Sequence, residues 1–184
     1  MATRLYISTL GETPPISPDP ESDWAITNQA SSPLMLTTVP TVETWPMSAP
    51  LATSHAADHL ARQLISEPLK VGQTITSQTI SMQMLAEKTV NSASLLIGIR
   101  IIAGDGVTVR RQITPTPATM HTIASTLTNT GGSYGATVAS YTTVAGDRLV
   151  IELGVFTNTS SAATSALYFG SETGVDLPVD NTTT

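Results

Sequence analysis

The sequence contains no cysteine, and charged and aromatic residues are scarce. Without cysteine the chain has neither a disulfide framework nor a thiolate metal site. Charged residues make up 12% of the 184 residues, which is too few for a disordered polyelectrolyte. The formal net charge of -6 disfavours a protein that binds nucleic acid through a basic face. Aromatic residues make up only 4%, which disfavours a sugar-binding face of stacked rings, although four tyrosines keep that alternative open.

Long apolar runs are also absent. No run reaches the roughly 18 residues that a membrane-spanning helix needs, and the first residues lack the apolar core of a secretory signal. We therefore expect a protein with no membrane partner. Serine, threonine and β-branched residues are abundant instead, which is typical of an all-β protein. The length fits one domain, or one domain plus an arm.

The first fifty residues carry eight of the 12 prolines. Proline removes a backbone donor and disfavours both long ladders and long helices. The segment nevertheless holds both tryptophans and several aliphatic residues, so it needs a surface to lie on. We predict an extended N-terminal arm over residues 1–53. Two alternatives stay open: the arm wraps its own domain, or it lies on a neighbouring subunit or another partner.

Residues 54–66 are ambiguous. Ala57, Leu60, Ala61 and Leu64 fit a helical stripe, with Ser54 as a possible N-cap. Leu60, Arg62 and Leu64 also leave room for a strand that ends at Pro68. Periodicity alone favours the helix.

From Val71 onward the pattern is strand, turn, strand. An offset near Ser77 indicates a bulge or a bend, Gly104-Asp105-Gly106 predicts a hairpin turn, and Arg110-Arg111 breaks the strand phase. The polar stretch 115–133 is predicted to be a loop. Short connections favour antiparallel pairing, so we predict an antiparallel β-sandwich over residues 54–178 and a polar tail over 179–184.

Nothing in the sequence indicates catalysis. Ser133 lies in a Gly-x-Ser-x-Gly pattern, but no strand precedes it and no helix follows, so a plain loop is the better interpretation. His55 and His59 have helical ligand spacing but no third ligand, and we expect solvated histidines. Asp147 is interpreted as a turn residue, and Glu152 as the cross-strand partner of Arg100 or Arg148. We predict no enzymatic activity, no metal and no cofactor.

Several segments, in order along the chain, suggest a family. The opening MATRLY, the later PISP and Trp24 resemble the start of a group of tailed-bacteriophage virion proteins. Further similarity follows in LARQLISEPL, GQTI, AGDRLVIELG and the Asp-Leu-Pro near the end. The resemblance spans most of the chain.

This resemblance implies a jelly-roll-like β-sandwich, with a strand rather than a helix at residues 60–69, and we follow it there. It also implies a structural role: a capsid decoration (cement) protein on the virion head, made in the host bacterial cytoplasm. The expected partners are the major capsid protein or other virion proteins, together with further copies of the chain, a trimer being favoured. We predict that four arm residues bind the partner: Trp24, Leu34, Leu36 and Trp45. A tail or fibre component, or a carbohydrate-binding module on the virion, remains as an alternative.

Overall fold

A computed structural model describes residues 6–7, 13–25, 27, 31–37, 45–53, 57–88, 93–114, 117–122, 128–136, 139–157 and 163–169. Over these ranges the chain forms strands and no helix, which confirms the predicted all-β class. None of these residues belongs to a helix long and apolar enough to cross a membrane. The strands are β1 Tyr6–Ile7, β2 Ser31–Thr37, β3 Trp45–Thr53, β4 Ala57–Pro68, β5 Thr74–Ile75, β6 Gln78–Lys88, β7 Ala93–Ile102, β8 Val109–Gln112, β9 Ala118–Thr122, β10 Thr128–Ala136, β11 Tyr141–Thr142, β12 Arg148–Thr157 and β13 Ala163–Phe169.

The strands form three sheets. A seven-stranded sheet, here called the large sheet, has the order β1-β2-β4-β12-β7-β8, with β9 also paired to β7. A four-stranded sheet has the order β10-β6-β13-β3, and β11 pairs with β5. Strands from both sides of the predicted boundary at residues 53 and 54 therefore pair with each other: β2 with β4, and β3 with β13.

The centre of the large sheet is buried on both faces. Successive residues of a strand point to opposite faces, and in β12 Leu153 and Val155 join one apolar cluster while Val150 joins another. The cluster around Leu153 is the main core, and it also contains Leu95 and Ile97 of β7. We call the opposite face, which includes Val150, the outer face. Burial on both faces explains why β7 and β12 have apolar residues at nearly every position.

Three sequence predictions fail. The helix favoured by periodicity is β4, so the strand implied by the resemblance at residues 60–69 is confirmed. The polar stretch 115–133 contains β9 and the first part of β10 rather than one loop. Pairing is not wholly antiparallel, because β2 runs parallel to β4. The 19 residues between them include β3, which belongs to the four-stranded sheet, so the connection is long enough for a crossover.

Local signals predict the turns correctly. The hairpin between β7 and β8 turns at residues 104–106, where Gly106 has a φ of 75°. The Asp105 carboxylate accepts hydrogen bonds from the backbone of Val107 and Thr108, each at 2.9 Å. The phase break at Arg110 is a register shift in this pair. The bend near Ser77 is the point at which the chain leaves β5 for the four-stranded sheet.

Candidate functional site

Residues 13–25, which we call the strap, lie on the outer face of the large sheet. Pro14, Pro18 and Trp24 are buried, whereas most residues between them are exposed. Prolines keep the segment extended and out of the ladder, so it binds the sheet through side chains. Ile16 packs against the cluster of Ile65, Ile102 and Val150, and this contact anchors the first half of the strap.

Trp24 anchors the second half. Its ring packs with Leu60, Leu96 and Phe156, one from each central strand of the sheet. The ring also lies over Gly154 of β12. A Cβ at position 154 would come closer than 3.0 Å to the indole ring and to a backbone carbonyl of β4. Gly154 is therefore the notch that lets the indole reach the sheet.

A buried carboxylate lies between these two anchors. Glu152 is 1% exposed, and its Oε2 accepts a hydrogen bond of 2.6 Å from the indole Nε1 of Trp24. Its Oε1 accepts one of 3.0 Å from Nε2 of Gln63 on β4. The backbone N–H of Glu21 donates to the same carboxylate, at 3.2 Å to Oε1 and 3.4 Å to Oε2. One side chain of the sheet thus binds both the backbone and the indole of the strap.

Arg100 of β7 completes this group. Its Nη2 lies 3.2 Å from Oε1 of Glu152 and donates a hydrogen bond of 2.5 Å to the carbonyl of Asp19. Its Nη1 forms an ion pair with the carboxylate of Glu21. We call Glu21, Trp24, Gln63, Arg100 and Glu152 the clasp. Breaking a buried ion pair by removing one partner costs about 3–5 kcal/mol, so the clasp ties the strap firmly to the sheet.

The hydrogen bonds and ion pairs of the clasp hold the strap on the large sheet. A general acid or base must reach the proton that it transfers, and Glu152 is enclosed by the strap, by Gln63 and by Arg100. Among the residues that the structure describes, no three His, Asp or Glu side chains are grouped so that they could hold a metal ion.

A second buried carboxylate organises the loops at one end of the large sheet. Asp147 is 0% exposed and accepts hydrogen bonds from the Tyr141 hydroxyl, at 2.5 Å, and from the Val144 backbone, at 2.8 Å. Arg110 lies 3.6 Å away on the neighbouring hairpin. Burial raises the pKa of Tyr141, and the hydrogen bond to Asp147 and its negative charge add to the effect. The prediction of Asp147 as a turn residue understated its role, because its carboxylate also joins its own loop to the hairpin between β7 and β8.

Two of the four predicted partner-binding residues have intramolecular contacts. Trp24 is 4% exposed between the strap backbone and the large sheet, and Leu36 is 3% exposed in the main core. Leu34 lies in β2 and Trp45 begins β3, but both side chains are outside the described residues. The contact of these four residues with a partner stays a prediction. Because Trp24 and Leu36 are buried within the chain, Leu34 and Trp45 are the better candidates for it.

The other residues that the sequence singled out, among them Ser133, His59 and Arg148, lie in different strands. Ser133 lies inside β10 opposite Ser81 of β6, so its Gly-x-Ser-x-Gly pattern forms part of a strand and not a nucleophile turn. His59 is buried in β4, contrary to the expected solvated side chain, and His55 lies outside the described residues. Glu152 pairs with Arg100, as one alternative predicted, and both side chains are buried. Arg148 donates instead to the Ser66 carbonyl, at 2.8 Å.

Glu21 and Gln63 are clasp residues that the sequence did not predict. The available signal was the presence of a charged residue among the apolar residues inside each of two strands, Glu152 in β12 and Arg100 in β7. Buried charges need partners, so each indicated a further polar group nearby. No family model matches the chain, and no curated protein matches it either.

Proposed function

We propose that this protein is a non-enzymatic structural component of a bacteriophage virion, a capsid decoration protein that binds and stabilises the head shell. The observation that carries the proposal is the ordered series of segments that resembles tailed-phage virion proteins, from MATRLY to the Asp-Leu-Pro near the end. The proposal includes a jelly-roll-like arrangement of the large and four-stranded sheets.

Two structural features support the proposal of a structural protein rather than an enzyme. The chain is built from strands throughout its described ranges, and the charged residues of the clasp bind one another beneath the strap. A sheet buried on both faces and locked on its outer face is rigid. A rigid surface loses little conformational freedom when it binds, so more of its contact energy becomes affinity.

The mechanism is additive over many copies. Each contact with the shell buries apolar surface worth about 25 cal/mol per Å², and a shell that carries many copies is held at many points against its internal pressure. The chain has only 12% charged residues, which keeps repulsion between closely packed copies small. Contact would run through the edges of the sheets and through Leu34 and Trp45 of the arm, and a trimer matches local capsid symmetry.

The test is to mix the purified full-length chain with assembled, undecorated phage particles that carry both heads and tails, and to locate bound copies by electron microscopy. We expect symmetric copies over the whole head surface and a higher temperature of shell disruption. Density confined to the tail would instead identify a tail or fibre component. A chain that binds neither head nor tail would reject the proposal.

Deleting the whole arm is a poor control, because residues 31–37 and 45–53 are strands of the sheets. A better pair changes single side chains and keeps both strands in the chain. Trp45→Ala alters a predicted contact residue, and Ser22→Ala alters an exposed residue of the strap. We expect Trp45→Ala to lower head occupancy and Ser22→Ala to leave it unchanged.

A further inference from the structure

β10 is the outermost strand of the four-stranded sheet. Its residues pair with β6 without a register shift, from Thr128 opposite Ala86 to Ala136 opposite Gln78. Among the strands that the structure describes, none pairs with the other side of β10. A row of backbone N–H and C=O groups therefore points away from β6, and a row of this kind can pair with a strand of another molecule.

The other edge strands carry features that hinder such pairing. β3 contains Pro46 and Pro50, which cannot donate to a ladder, and a register shift interrupts its pairing with β13. β1 has only two residues. β8 and β9 have four and five residues, and each has a register shift against β7. Among the edges that the structure describes, β10 alone is long, regular and free of proline.

β10 also lacks charged residues, which natural edge strands commonly use to prevent pairing. The sequence has no Asp, Glu, Lys or Arg from residue 112 to residue 146. The residues of β6 that pair with β10, residues 78–86, contain none either. The last two strands of this sheet therefore form a neutral margin over their whole paired length.

This neutral margin suits a second copy of the same chain. Each copy has a net charge of -6, so two copies repel each other wherever their charged surfaces approach. In a two-fold contact, a charge near the axis also meets its own duplicate, and like charges opposite each other destabilise a sheet. A contact through β10 avoids both costs. A basic partner would instead be attracted by acidic residues, and β10 offers it none.

We infer that two copies of the chain pair through β10 in an antiparallel, two-fold contact. Pairing over the full strand places Gly132, the middle residue, opposite Gly132 of the second copy, and Thr128 opposite Ala136. The strand spans about 30 Å, and its alternate residues supply about eight hydrogen bonds between the copies. The inference does not depend on the proposed virion function. On a shell that carries trimers, this contact would join one trimer to the next.

The first measurement is the oligomeric state of the natural full-length chain. Sedimentation velocity at rising protein concentration should show a monomer that converts to a dimer. Monomers at every concentration would overturn the inference, because the edge of β10 would then be left to residues of the same chain or to a strand of another protein.

The second measurement tests the register, and the natural absence of cysteine makes it possible. Gly132→Cys brings two identical thiols opposite each other, whereas the thiols of Thr128→Cys lie roughly 27 Å apart along the paired strands. Both positions are on the same face of β10, because an even number of residues separates them. Under mild oxidation we expect Gly132→Cys to form disulfide-linked dimers at least about tenfold faster than Thr128→Cys, because pairing raises the local thiol concentration.

A mixture of two variants supplies the matched positive control. Chains with Thr128→Cys and chains with Ala136→Cys should each cross-link slowly alone and should form a mixed disulfide rapidly when combined. Peptide mass mapping identifies the bonded residues, and this arm still decides the register if Gly132→Cys fails to fold. A dimer in which neither Gly132→Cys nor the mixture cross-links faster than Thr128→Cys alone would place the contact elsewhere and overturn the inference.

Discussion

Glu152 joins the strap to the large sheet through hydrogen bonds and an ion pair, which the apolar residues of the outer face cannot form. Its two oxygens accept from the Trp24 indole, from Gln63 and from the Glu21 backbone, and Arg100 supplies the counter-charge. A buried carboxylate is costly unless its partners are all in place. The clasp therefore favours one position of the strap over neighbouring ones.

Glu152→Ala should lower the free energy of unfolding by about 3 kcal/mol, because it leaves Arg100 buried beside only one carboxylate. Urea unfolding followed by circular dichroism measures this loss. Glu67→Ala is the matched control, since Glu67 is an exposed acid at the end of β4, and it should change stability by less than about 0.5 kcal/mol. Equal effects of the two substitutions would show that the clasp is energetically neutral.

The lowered pKa of Asp105 predicts that the stability of the turn between β7 and β8 depends on pH. Hydrogen bonds from Thr108 and from the backbone of Val107 stabilise its carboxylate and lower its pKa from 3.8 to about 2. Because the folded-state pKa is the lower one, the stabilisation is fully present above pH 3.8 and is lost as the pH falls through about 2.

NMR titration of the Val107 and Thr108 amide protons should show a midpoint near the lowered pKa of Asp105, about 2. In Asp105→Asn the amide shifts should lose this titration, while the turn persists because asparagine also suits such turns. A midpoint near 3.8 in the natural chain would mean that the turn does not hold the carboxylate.

At the scale of elements, turns could be predicted from the local sequence, whereas pairings between distant strands could not. Gly104-Asp105-Gly106 specifies its own turn, so the hairpin was predictable. β4 was ambiguous for a physical reason: a register shift against β12 skips Ala61, which places Leu60 on the outer face and Ala61 and Leu64 in the main core. That spacing also fits a helix. The parallel pairing of β2 with β4 and the contact of the strap with Glu152 join distant residues, and no local pattern encodes them.

The fit between strap and sheet should depend on Gly154. Gly154→Ala places a methyl group against the Trp24 ring and the His59 carbonyl, so either the strap or the strand must shift. Overpacking of this kind costs about 1–3 kcal/mol. We expect a Glu-specific protease to cleave after Glu21 faster in Gly154→Ala than in the natural chain.

Thr119→Ala is the control for this experiment, because Thr119 is an exposed strand residue of β9. It should leave the cleavage rate after Glu21 unchanged. If Gly154→Ala also left the rate unchanged, the strap would not be held by the indole in its notch.

At the scale of the whole molecule, the predicted division into an arm of 1–53 and a domain of 54–178 meets a topology that crosses it. β2 lies beside β4, β3 lies beside β13, and the strap covers the outer face. Removing residues 1–53 would therefore leave the edge of β4 unpaired and expose Leu60, Leu96 and Phe156. Such exposure favours aggregation over a stable fold.

We expect residues 54–184, produced alone, to show no cooperative unfolding transition, whereas the full-length chain unfolds in one step. Adding residues 1–53 as a separate peptide should restore a transition, because the peptide supplies β2, β3, Trp24 and the Glu21 partner of Arg100. The same peptide with Trp24→Ala should restore less stability, since it lacks the indole that fills the notch at Gly154. A cooperative transition in residues 54–184 without the peptide would show that the first 53 residues are an appendage after all.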